Sequence, residues 1–103
     1  IAVFSVMSDK AIDDIVSALG GTIDIWYHGP IKDNARSATG ASMSQALQNQ
    51  GQTECSFDDI VAAYRAALAD SGERDRIVVF GSFFTVECIQ QLQDTKVALG
   101  TVV

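Results

Sequence analysis

Proline appears once in this 103-residue chain, histidine once and cysteine twice, and lysine and arginine together number only seven. Each scarcity closes off a class of protein. Cys55 and Cys88 lie far apart and outside any CxxC or Cys/His spacing. That pattern gives no disulfide framework and no zinc site, and it fits a reducing compartment, the cytoplasm. Both read as small buried hydrophobes. The one histidine, His28, falls just past a strand-like run with no evident Ser or Asp partner, and Gly81-Ser-Phe is not a G-x-S-x-G elbow. A Ser-His-Asp triad is therefore not expected. Thirteen acidic residues against seven basic leave a formal charge of −6, with no Lys/Arg cluster to gather phosphates. Nucleic acid is disfavoured as a partner. No apolar run approaches the roughly 18 residues of a membrane span, so no membrane partner is expected either.

What is present is a hydrophobic fraction of 48%, enough for one core in a chain of this length. Ile1-Ala-Val-Phe-Ser-Val6 is a short β-branched run of the kind buried on both faces of a parallel sheet. It carries no initiator Met and no basic signal region, and reads as a strand of a longer protein. After Met7-Ser-Asp-Lys10, Ala11, Ile12, Ile15, Val16 and Leu19 recur at helical spacing up to a Gly20-Gly21 stop. A second strand over Ile23 to Tyr27 ends in His28-Gly-Pro30. A polar loop from Ile31 to Ala41 leads to a short helix capped by Ser42, and Glu54-Cys55 is a weak strand signal. Ser56-Phe-Asp-Asp59 matches a capping box for a helix whose apolar face carries Ile60, Val61, Ala63, Tyr64, Ala67 and Leu68. A buried strand over Ile77 to Phe80 then runs through Gly81-Ser82 into a last helical pattern to Leu92, while Lys96 to Val103 fits a closing strand or a frayed tail. Strands alternating with helices imply a three-layer α/β, Rossmann-like fold with a mainly parallel sheet.

In such a sheet the loops after strands share the carboxyl edge, where ligands bind. Lys10 opens a helix, an unfavourable place for a cation unless it serves a carboxylate or phosphate; the alternative is a solvated surface lysine. Asp9 beside it is an acid in a first turn, which any helix prefers. Ser82 is either a plain N-cap or a cap that also helps cradle an anion. Arg36, in the polar loop, is a surface charge by default. Trp26 and Tyr27 read as core or half-buried strand residues. Gly20-Gly21 follows a helix rather than a strand, so it is not a phosphate loop.

Phe4-Ser-Val-Met-Ser-Asp-Lys10, Trp26-Tyr27, Arg36-Ser-Ala38, Ser56-Phe57 and above all Asp75-Arg-Ile-Val-Val-Phe-Gly-Ser-Phe-Phe-Thr-Val86 carry a resemblance in order along nearly the whole chain. The chain resembles the C-terminal domain of bacterial bifunctional dihydrofolate synthase/folylpolyglutamate synthases, relatives of the Mur peptidoglycan ligases. The resemblance implies a parent enzyme that activates a folate or pteroate carboxyl with ATP and Mg²⁺ as an acyl phosphate and lets the amine of L-glutamate attack it. It implies that residues 1–103 are a partial C-terminal, glutamate-binding domain lacking its first strand. The partner would be the chain's own N-terminal ATP-binding domain, which would hold nucleotide and metal. Lys10 matches the lysine of the family's D-K-D loop, and Ser82 with Phe83 match its G-S-F turn, which places them with Asp9 as ligands of the incoming amino acid. Arg36 matches a family arginine without an assigned role.

Two departures stand out: Ala11 replaces a usual Asp, and Phe84 replaces a His or Tyr. The D-G-A-H-N-P segment that opens the family's domain is not in the chain, so the piece alone is expected to be inactive. A non-catalytic Rossmann-like binding module and a Mur peptidoglycan ligase domain are the alternatives.

Overall fold

A computed structural model describes residues 1–8, 11–73, 75–81, 83–93 and 101–102. The elements run β1 (Ala2–Phe4), α1 (Ile12–Leu19), β2 (Trp26–His28), α2 (Gly40–Asn49), β3 (Glu54–Ser56), α3 (Ile60–Asp70), β4 (Val78–Phe80), α4 (Phe83–Gln93) and β5 (Thr101–Val102). The strands form one sheet in the order β3-β2-β1-β4-β5, and every neighbouring pair is parallel. The Rossmann-like α/β reading holds, and of the two options for Lys96 to Val103 a closing strand forms at Thr101–Val102.

Alternation along β1 sorts the core into two layers, because successive side chains of a strand point to opposite faces. Ala2 and Phe4 pack with Val16 of α1 and with Met43 and Leu47 of α2. Val3 packs on the other face with Tyr27, with Ala63, Tyr64 and Ala67 of α3, and with Ile89 of α4. The apolar stripe Ile12, Ile15, Val16 and Leu19 lies against the first layer, as its spacing predicts. Phe4, Trp26 and Phe80 meet there at centroid separations of 5.2–5.6 Å. Such aromatic contacts add about 0.5–1.5 kcal/mol each beyond burial. On this face Val78 and Phe80 also line an apolar recess of about 400 Å³ with Leu19, Thr22 and Ile23.

The ladders are shorter than the apolar runs. The first strand ends at Phe4 rather than Val6 because the chain beyond changes partner: Val6 C=O accepts from Ala38 N at 2.8 Å, and Met7 bridges Ser37 in the antiparallel sense. The second strand starts at Trp26 rather than Ile23 and includes His28.

Both expected caps move. Thr39, not Ser42, caps α2, its hydroxyl accepting from Ser42 N at 3.1 Å. Asp59, not Ser56, caps α3, its carboxylate accepting from Ala62 N at 2.8 Å, while Ser56 is spent as the last residue of β3. The cysteines are half-buried rather than fully buried, and both are free thiols. Burial, helped by nearby Asp59 and Glu87, pushes the Cys88 thiol up.

Candidate functional site

The chain passes from β1 outward through β2 to β3, then jumps back across the sheet to place β4 on the other side of β1. The crossovers therefore diverge between β1 and β4, which is the topological switch point where open parallel sheets leave a crevice at the carboxyl ends of their strands. Val3 pairs with Val79 and Phe4 with Phe80, so the two strands end level.

Just past that pairing the exits are pressed together. Gly81 takes φ +128°, and a Cβ there would sit 2.0 Å from the Ser5 carbonyl oxygen, so only glycine fits. From the first turn of α4, the Thr85 hydroxyl donates to the same carbonyl at 2.7 Å. Ser5 is fully buried, and its own Oγ has no hydrogen-bond partner among the described residues.

The loop after β2 joins this edge. Ser37 Oγ accepts from Ile31 N at 2.8 Å, and Asn34 Oδ1 accepts from Arg36 N at 3.0 Å, which folds residues 31–37 on themselves. Arg36 C=O then accepts from Ser8 N at 2.7 Å. The segments following β1, β2 and β4 thus converge.

Of the residues singled out in the sequence, Asp9, Lys10 and Ser82 lie outside the described residues. Their chain neighbours Ser8, Ala11 and Gly81 are described, at the exits of adjacent strands. Phe83 opens α4. Arg36 is exposed and is tied through its backbone to the β1 exit.

A second polar cluster fills the seam between β2 and β3, and here the structure corrects the expectation for His28. It is the last residue of β2, fully buried, with Nε2 3.0 Å from Glu54 Oε1. Ser44 of α2 donates to the same carboxylate oxygen at 2.5 Å and lies 3.3 Å from Nε2. The Ser44 hydroxyl and then His28 hold the Glu54 carboxyl below its ordinary value of 4.5. An ionised Glu54 only accepts, so His28 donates from Nε2.

Ser, His and acid are present, yet they form no relay. Ser44 donates its hydrogen bond to Glu54, both groups crowd one ring nitrogen, and buried Nδ1 has no hydrogen-bond partner among the described residues. A triad needs the acid on one nitrogen and the nucleophile on the other. Sequence reading missed the cluster because its members are separated by 10 to 26 residues and meet only through parallel pairing of β2 with β3.

Trp26 and Tyr27 are core, as expected. Tyr27 donates to Asp70 at 2.7 Å, and that hydrogen bond together with burial pushes its pKa up to about 12. An open groove of about 710 Å³ between α1 and α2 carries Asp13 and Asp14 but no cation, a poor match for an anion. Among the described residues no group of three or more His, Cys, Asp or Glu is arranged to hold a metal, and no helix is long and apolar enough to cross a membrane.

A family match covers the switch-point edge along with most of the chain. The model for the Mur ligase glutamate ligase domain matches residues 1–83, from β1 to the start of α4. The chain belongs to that family. Among curated relatives, a dihydrofolate synthase/folylpolyglutamate synthase of Escherichia coli is 32% identical over 96 residues, 93% of this chain and 22% of the relative. A Buchnera aphidicola protein of the same name is 32% identical over 98 residues, 95% of this chain and 23% of its own.

Among solved structures, Escherichia coli FolC in complex with DHPP and ADP superposes with a TM-score of 0.78 at 34% identity, over 91% of this chain and 22% of that one. A bifunctional folylpolyglutamate synthase/dihydrofolate synthase with Mn, AMPPNP and L-glutamate bound gives 0.78 at 29% identity, over 90% and 22%. This glutamate ligase domain therefore spans about a fifth of the length of its relatives.

Proposed function

We propose that this domain holds the incoming amino acid in an ATP-dependent ligase that joins L-glutamate to the carboxyl of a dihydropteroate or folate. The observation that carries the proposal is the convergence of the β1, β2 and β4 exits at the switch point, within the stretch that matches the glutamate ligase family. Glutamate brings two carboxylates. Lys10 supplies an ammonium, Ser82 a hydroxyl, and α4 the backbone N–H groups of its first turn, which have no acceptor within their own helix. Asp9, Arg36 and Phe83 complete the candidate set. Phe83 opens α4, and Arg36 is tied by its carbonyl to Ser8.

The chemistry asked of these residues is placement. ATP phosphorylates the folate or pteroate carboxylate, giving ADP and an acyl phosphate; the glutamate amine then attacks the acyl carbon and inorganic phosphate leaves. Fixing both carboxylates of glutamate leaves its amine as the free end, and orienting one reactant against another lowers a bimolecular barrier by several kcal/mol. The described residues offer no phosphate loop and no metal-ligand group, so no nucleotide or metal step is assigned to them. ATP and Mg²⁺ belong to the larger N-terminal partner domain in this reading, and the domain alone neither hydrolyses ATP nor ligates glutamate. Such an enzyme works where ATP and folates are, in the cytoplasm.

The test is Lys10→Ala in the full-length enzyme. Losing one charged hydrogen-bond partner in a closed site costs about 1.5–3 kcal/mol, so the KM for glutamate should rise roughly ten- to a hundredfold. The KM for ATP should change far less. Unchanged glutamate kinetics would remove Lys10 from the site.

A further inference from the structure

Resting on the glutamate-site reading above, we propose that Thr85 is a positioning residue for that site, setting the distance between the β1 and β4 exits without touching ligand. A threonine in a helix ordinarily turns its hydroxyl to a carbonyl of its own preceding turn. Thr85 instead donates to Ser5 C=O, 80 residues away in sequence, from a fully buried position.

The bond falls where the ladder stops. Phe4 and Phe80 are the last paired residues, and Ser5 and Gly81 are the first residues beyond them. Gly81 admits no side chain because its Cα rides directly over the Ser5 carbonyl. That oxygen takes the Thr85 hydroxyl, which ties the first turn of α4 to the exit of β1 where β-sheet pairing no longer does so. Lys10 follows Ser5 by five residues in the sequence, and Ser82 immediately precedes α4. A ligand that bridges the two segments with two carboxylates is sensitive to their separation. A ligand held in another domain is not.

The experiment compares Thr85→Val, which keeps the shape and removes the donor, with Thr85→Ser, which keeps the donor, in the full-length enzyme. Glutamate and ATP are varied separately at saturating co-substrates, and thermal melting is followed in parallel. Thr85→Val is expected to raise the KM for glutamate roughly tenfold, as loss of one well-placed hydrogen bond does. It should leave the KM for ATP within about twofold, and Thr85→Ser should bring the KM for glutamate back to within about twofold of the parent.

Equal shifts in both KM values, no shift for glutamate, or a Ser variant that behaves like Val would overturn the positioning role. Should Thr85→Val not fold, Thr85→Ser against Thr85→Ala, which differ by the hydroxyl alone, is read in the same way. Lys10→Ala separates the two levels of the argument. If it raises the glutamate KM while Thr85→Val does not, only the positioning role falls. If Lys10→Ala has no effect, the glutamate site falls and this role with it.

Discussion

The seams on either side of the β1–β2 pair are built differently. Between β1 and β4 the closure is made on the Ser5 backbone: Gly81 lies on it, the Thr85 hydroxyl donates to its carbonyl, and the buried Ser5 hydroxyl has no hydrogen-bond partner among the described residues. Between β2 and β3 a charged side-chain cluster is added to the backbone contacts, with Glu54 taking hydrogen bonds from Ser44 and His28. A seam whose charge is answered from within has little left for a ligand. A seam closed by a glycine and one hydroxyl, with a helix starting beside it, carries no such charged side-chain cluster among the described residues. That difference supports the proposed placement of glutamate at β1/β4 rather than at β2/β3.

The hardest blow to this comparison would come from the two glycines that let each seam close. Gly81→Ala puts a Cβ 2.0 Å from a backbone oxygen at φ +128°, a position with neither room nor conformational freedom. Chemical denaturation should show a loss of roughly 3 kcal/mol or more, or no folded protein. Gly29→Ala at the β2 exit meets Asp59 backbone atoms at 2.5 Å but needs no left-handed backbone. Its loss should be smaller, about 1–3 kcal/mol. Equal losses would mean that the β1/β4 exits are no more tightly set than their neighbours.

Glu54→Gln sharpens the other half. It removes the charge that Ser44 and His28 share, and at neutral pH the loss should be about 1–2 kcal/mol, within the range for hydrogen bonds to a charged, partly exposed acceptor. The sign with pH follows from the lowered folded pKa. Glu54's stabilisation is fully present above the ordinary value of 4.5 and fades as the pH falls through the lower folded value. The parent and the variant should therefore converge in acid. A gap that widened below pH 4 would show that Glu54 does not enter the folded state as the carboxylate the cluster requires.

How much of this the sequence disclosed depended on whether the signal was local. The stripe Ile12, Ile15, Val16, Leu19 and the run Ile77 to Phe80 declare themselves within a few residues, because burial imposes a period. That the loops after β1 and β4 share one carboxyl edge was legible too, since strands alternating with helices imply a parallel sheet. That β1 and β4 are neighbours came only with the strand order. The His28, Ser44 and Glu54 contacts were not legible, nor was the bond from Thr85 to Ser5, because parallel pairing brings together residues that nothing in the local pattern connects. Helix starts failed for a different reason. Several capping residues stood in a row, and the choice among them was made by where the strand or loop ended.

That choice gives the smallest and cleanest measurement. Ser56-Phe-Asp-Asp59 offers Ser56 as a cap by its spacing, yet Ser56 pairs with His28 as the end of β3, its side chain exposed. Asp59 takes the role: its backbone is extended, Oδ1 accepts from Ala62 N at 2.8 Å, and its charge lies at the positive end of the α3 dipole. Asp59 also presents the backbone that Gly29 approaches, so the cap fixes where α3 begins against the β2 exit. Asp59→Ala should cost about 1 kcal/mol by denaturation, and Asp59→Asn, which retains an acceptor, only a few tenths. Ser56→Ala, which removes an exposed hydroxyl that caps nothing, should stay within about 0.5 kcal/mol of the parent. If Ser56→Ala proved the costlier of the two alanine changes, α3 would start at the residue the sequence pattern names, and the β2/β3 seam would have to be redrawn around it.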